Sequence, residues 1–131
     1  MRGASALQDL LQGSPDAGLR LFVVWEPVIW SDLTAPTSGV LARVLDRRAA
    51  QFWDPDRRVS EGLLLNMPAD PRAEPRDPVE AGDVVWDCVA IYPPGVRWEG
   101  GPPEPSYIDC PVVRVIDEVA RRLSSSGSPG R

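Results

Sequence analysis

Apolar positions recur along this chain with two periods, near 3.6 residues where a helix is expected and every residue or every second residue where a strand is expected. In "GASALQDLLQG", Ala4, Leu7, Leu10 and Leu11 share one helical face, and Gly13 with Pro15 ends the helix. "LRLFVVW" brings four apolar residues in a row, Leu21 to Val24, the pattern of a strand covered on both faces as in a parallel sheet. After "EPVIWSDLTAP", Thr37 or Ser38 is placed to cap a second helix, with Val40, Leu41, Val44 and Leu45 as its inner stripe and arginines outside. "AAQFWDPDRRVSEGLLL" carries two signals. Ala50, Phe52 and the Asp54-Pro55-Asp56 turn read as a short strand, whereas Ser60 is placed to cap a short helix.

From Pro68 to Pro78 four prolines alternate with charges, which reads as an exposed, stiff loop extending to about residue 82. "DVVWDCVAIYPPGVRW" resumes as a strand, a Pro-Pro-Gly turn and a second short strand ending at Trp98. "EPSYIDCP" is extended, and Pro111 suits the first turn of a helix with Val112, Val115, Ile116, Val119 and Leu123 on one face. Residues 124–131, "SSSGSPGR", read as a disordered tail. The expected architecture is one α/β domain over residues 1–123, a mixed sheet with helices on both faces.

The totals narrow the partners. A chain of 131 residues is the size of one domain, and 15 prolines with 11 glycines put much of it into loops. All 14 basic residues are arginine and the net charge is -5, so a nucleic-acid partner is not expected, since phosphate binding needs clustered positive charge. No run of about 18 apolar residues and no export signal is visible, so no membrane partner is expected and the cytoplasm is the default location. The chain has no histidine, the commonest general base and metal ligand, and two cysteines make no disulfide scaffold, so neither a metal nor another cofactor is expected.

The order of these elements resembles the thioredoxin fold, a three-layer sandwich. The likeness is carried by "LRLFVVWEPV" as a core strand, "SGVLARVLDRR" as the helix after it, "VVWDCVAIYPPGVRW" as the hairpin and "PVVRVIDEVARRL" as the last helix. The chain is also similar to thioredoxin-like bacterial proteins in which "VVWEPV", "QFWD" and "VWD" recur in this order. The resemblance implies a relative of thiol-disulfide, or selenol, oxidoreductases. It also implies a central strand and a Cys-x-x-Cys ahead of the first helix, and neither is present here. The fold is therefore expected to be N-terminally incomplete and inactive in dithiol exchange as it stands. Either Met1 is not the true start, in which case an export signal has room upstream, or the two halves close up or a dimer supplies the pairing, or the fold is a different one. The competing function is a non-catalytic interaction module that self-associates or docks on a protein partner.

The resemblance makes Trp25, Glu26, Pro27 and Asp87 candidates to line the cleft where such proteins hold their dithiol. Asp87, alternating with Val85 and Val89, is placed on the apolar face of its strand as a candidate proton acceptor, although an acid hydrogen-bonded to a loop is the commoner use of such a residue. Cys110, just ahead of the last helix, is a candidate reactive thiol, although a cap or packing role is the commoner one, and spacing in the sequence does not show whether Cys88 and Cys110 approach one another. Cys88, sharing a face with Trp86, Ala90 and Tyr92, reads as a small core residue. Carboxylates beside tryptophans at Trp25-Glu26, Trp53-Asp54 and Trp86-Asp87, with Asp32 near Trp30, also fit a sugar site, but five tryptophans serve packing more often.

Overall fold

The computed structural model describes residues 2–15, 18–28, 33–65 and 84–126. Helix α1, Arg2–Gly13, turns the stripe seen in the sequence inward, with Leu11 only 2% exposed. It packs on the last helix, α4, Val112–Ser126, whose buried side is Val112, Val115 and Val119. These residues form the centre of the core, with Val44 and Leu63 completing it. Burying aliphatic side chains of this kind contributes about 1.5–3 kcal/mol each. The last helix runs three residues further than expected, through Ser126. Residues 127–131 and the proline-rich 68–82 lie outside the described residues.

Strands β1, Leu21–Trp25, and β2, Ala49–Trp53, pair in parallel, with Leu21 opposite Ala49 and Trp25 opposite Trp53. The Leu21 N–H donates to the Arg48 carbonyl and the Asp54 N–H to the Trp25 carbonyl, at 3.0 and 2.9 Å. Because strand residues alternate, Leu21, Val23 and Trp25 thus turn their backbone groups to β2, and Phe22 and Val24 turn theirs to the far edge. Among the described residues that edge has no backbone partner. One face of the pair carries Gln51, which donates from Nε2 to the carbonyls of Leu41 and Val44. On the other face the Phe22 and Phe52 rings lie 6.1 Å apart, 60% and 52% exposed.

The second helix is a single turn, α2, Ser38–Leu41, rather than the longer one expected. Two glutamines end it. Gln51 takes up the carbonyls of Leu41 and Val44, and Gln8 Oε1 accepts the N–H groups of Leu45 and Asp46 at 2.8 and 3.1 Å. The expected stripe therefore splits, with Val44 buried and Leu45 75% exposed. The doubly signalled segment forms both elements in turn, β2 and then α3, Arg58–Leu64.

The hairpin closes elsewhere than at Pro-Pro-Gly. Strand β3 is short, Val89–Ile91, and its antiparallel partner is β4, Tyr107–Asp109. Val96 to Trp98 form no strand. Trp98 instead packs edge-on against Tyr92 at 5.8 Å, and the Tyr92 hydroxyl donates to the Pro103 carbonyl at 3.2 Å. Among the described residues the result is a mixed α/β arrangement with two separate two-stranded sheets.

Candidate functional site

Because Trp25 and Trp53 are opposite each other in a parallel pair, the next residues, Glu26 and Asp54, leave the sheet side by side at the carboxyl ends of the strands. Both carboxylates are engaged with α3. Asp54 Oδ2 accepts the Val59 N–H at 2.9 Å, and Glu26 Oε1 accepts the Ser60 N–H at 3.0 Å. The first turn of α3 is thus satisfied by two strand ends. Ser60, expected to be a cap, sits within the helix instead, 1% exposed. Its hydroxyl donates to Glu26 Oε2 and accepts the Val85 N–H at 2.8 Å. One buried hydroxyl therefore joins the end of β1, α3 and the segment leading to β3. Burial pushes the Glu26 carboxyl up from its ordinary value, the hydrogen bonds from Ser60 pull it back, and Asp54 alongside adds to the rise.

Trp25 is half-buried and its Nε1 donates to Gln51 Oε1 at 3.0 Å, so its polar edge is used within the sheet. Pro27 follows, half-buried. Asp87 departs from its expected place. Only Val89–Ile91 is strand, and Asp87 lies before it with a positive φ of 52°, so it does not alternate along a strand face. Its carboxylate instead meets the start of α1, where a Cβ on Gly3 would run into Oδ1. Its carbonyl accepts the Val112 N–H at 2.8 Å, at the first turn of α4. Asp87 is thereby tied to both core helices. Two residues earlier, Val85 is held by Ser60, so the region of Glu26 and that of Asp87 are joined through one short segment. Trp30 and Asp32 lie outside the described residues.

Cys110 and Cys88 are joined to each other in a disulfide, with Cα atoms 4.4 Å apart. Cys110 is therefore not the open thiol it was a candidate for, and the free core cysteine expected at Cys88 is absent. Both residues are half-buried, beside Trp86, which is 70% exposed. The sequence leaves open whether these two cysteines approach one another, because it points to Val96 to Trp98 as the hairpin's second strand and spacing alone sets no Cα separation. With β4 at Tyr107–Asp109, Cys88 and Cys110 fall one step beyond the Val89 and Asp109 pair. Ser60 is not legible as a junction because its two partners, Glu26 and Val85, come from distant segments.

At the amino ends of β1 and β2 the chain carries the opposite charge. A shallow cleft of about 470 Å³ is lined there by Pro15, Gly18, Leu19, Arg20, Arg47 and Arg48. Arg48 is held by Asp46 and by the carbonyls of Leu11 and Ser14. Among the described residues no group of acids and cysteines is arranged to hold a metal ion. No described helix is long and apolar enough to cross a membrane. Comparison of the chain with protein-family models, curated proteins and solved structures finds no match.

Proposed function

We propose that this chain is a thioredoxin-like domain related to thiol-disulfide or selenol oxidoreductases, lacking the Cys-x-x-Cys at which such proteins run dithiol exchange. The observation that carries this reading is the pair of unshared strand edges. Among the described residues the outward backbone groups of Phe22 and Val24 have no partner, and β3 is paired only with β4. An uncharged strand such as Leu21–Trp25 with one open edge is a template for a further strand. A strand between β1 and β3 would make one mixed sheet with α1 and α4 packed together beside it. Asp87 at the start of α1 then stands where the dithiol of such a protein would lie, and it is the group available there to accept a proton.

The test is insulin reduction by the chain beside a version extended by an apolar strand and a Cys-x-x-Cys joined ahead of α1, each with Cys88 and Cys110 replaced by serine. Catalytic turnover is expected from the extended version alone. No turnover from either version would sink the relation to oxidoreductases. A second reading, a non-catalytic module that binds a protein partner or itself, is favoured by the exposed Phe22 and Phe52 rings next to the open edge. It would then take the lead.

A further inference from the structure

We propose that Cys88–Cys110 is a reversible redox site that exchanges with an external thiol, a reading independent of the thioredoxin-like frame. The first ground is how the pair is mounted. Val89 faces Asp109, Ala90 faces Ile108 and Ile91 faces Tyr107, and Cys88 faces Cys110 as the next step of the same ladder. Their Cα separation of 4.4 Å matches a non-hydrogen-bonded antiparallel pair, the kind whose side chains lie closest. Beyond the pair, the Val112 N–H donates to the Asp87 carbonyl at 2.8 Å. Non-covalent fastenings thus lie on both sides of the disulfide. Opening the bond leaves the two sulfurs opposed and ready to close again, because the ladder keeps their effective concentration high.

The second ground is that the two sulfurs are not equivalent. Cys110 lies just ahead of the 15-residue α4, whose N-terminus favours negative charge. Arg114 adds to this, donating from Nη2 to the Cys110 carbonyl at 3.0 Å. Asp109, which accepts the Cys110 N–H at 2.8 Å, opposes them with its own charge. Helix and guanidinium together make Cys110 the better leaving thiolate, so the incoming thiolate attacks Cys88 Sγ. Trp86, 70% exposed and two residues before Cys88, offers an apolar flank to the approaching thiol.

The external thiolate bonds to Cys88 Sγ, the Cys88–Cys110 bond breaks, and its electron pair leaves on Cys110, which takes a proton from solvent. A second external thiolate attacks the external sulfur of that mixed disulfide and releases Cys88 as a thiolate. Two external thiols are oxidised to one disulfide, and the chain's disulfide is reduced to two thiols. The reverse sequence closes it. In a reducing compartment a disulfide of this kind is a switch rather than a permanent cross-link.

The experiment equilibrates the full chain in glutathione buffers of graded ratio, quenches with acid, alkylates free thiols, and follows far-UV circular dichroism in parallel. The expected result is a single reversible curve from unlabelled to doubly labelled chain, with the helical signal unchanged. Cys110→Ser is expected to retain a glutathione adduct on Cys88. Dithiothreitol run alongside supplies a stronger small reductant: opening in both reagents supports a site that exchanges with external thiols, and opening by dithiothreitol alone marks a structural cross-link and would overturn the proposal. A bond that stays closed in every buffer until urea unfolds the chain would overturn the proposal. So would opening that occurs only together with loss of the helical signal.

Discussion

The Ser60 hydroxyl donates to Glu26 and accepts from Val85, and at 1% exposure water has no easy access to it. Removing the oxygen leaves the Val85 N–H unpaired and takes one donor from a half-buried carboxylate. Ser60→Ala is therefore expected to lower stability by about 2–3 kcal/mol in urea denaturation, well above the effect of an ordinary exposed serine. A loss under about 0.5 kcal/mol would mean that water reaches Val85 and that the junction is not built as described. Sequence alone placed a serine near a helix start, where capping is the usual role. It could not show that the acids at 26 and 54 already occupy that role, because nothing local records which strand ends lie above a helix.

Among the elements, α3 shows how packing reverses a propensity. Replacing a glycine within an exposed helix by alanine ordinarily gains about 1 kcal/mol. A Cβ at Gly62 would instead run into Cδ and Cγ of Pro102. Pro102 belongs to the loop joining β3 to β4, and it is a buried residue. Gly62→Ala is expected to destabilise by about 1–3 kcal/mol, read as a lower melting temperature, and a rise in melting temperature would show that the loop gives way. The same lesson applies to α2. Its apolar spacing from Val40 to Leu45 is helical, yet Gln8 and Gln51 take the backbone groups that would have continued the helix. Competition of that kind comes from residues far along the chain, so periodicity is silent about it. Where no such competitor exists, as in α1, β1 and α4, the elements fall where the pattern puts them, although β1 is not covered on both faces as its apolar run suggested, Phe22 being 60% exposed.

For the molecule as a whole, stability should peak on the acidic side of neutrality. The folded-state pKa of Glu26 is raised above 4.5, the value taken for the unfolded chain. The folded protein then takes up this proton at a higher pH than the unfolded chain does. Its contribution to stability is present below 4.5 and is lost as pH rises through the folded value. Two other acids act in the opposite sense. The side-chain hydrogen bond from Arg48 holds Asp46 down at about 2 instead of 3.8, and that from Arg121 holds Glu118 down at about 2 instead of 4.5. Their stabilisation is complete above those ordinary values and is lost as pH falls through about 2. The Glu118 pairs are partly exposed, so added salt should weaken that share. Urea midpoints measured from about pH 2 to about pH 8 should therefore rise and then fall, and Glu26→Gln should flatten the upper limb. A wild-type curve that keeps rising to neutral pH would contradict the described setting of Glu26.

What the sequence determined by itself is which stretches are amphipathic or uniformly apolar, and hence α1, β1 and α4, because each depends on the spacing of neighbours. The tertiary structure alone decided how far α2 extends, which strand closes the hairpin and that Cys88 meets Cys110. It also decided that Glu26, Ser60 and Val85 converge. These are contacts between residues distant in the chain, settled by competition for backbone hydrogen bonds and by the register of a β-ladder. A one-residue change of register exchanges every partner while leaving the local pattern of the sequence as it was.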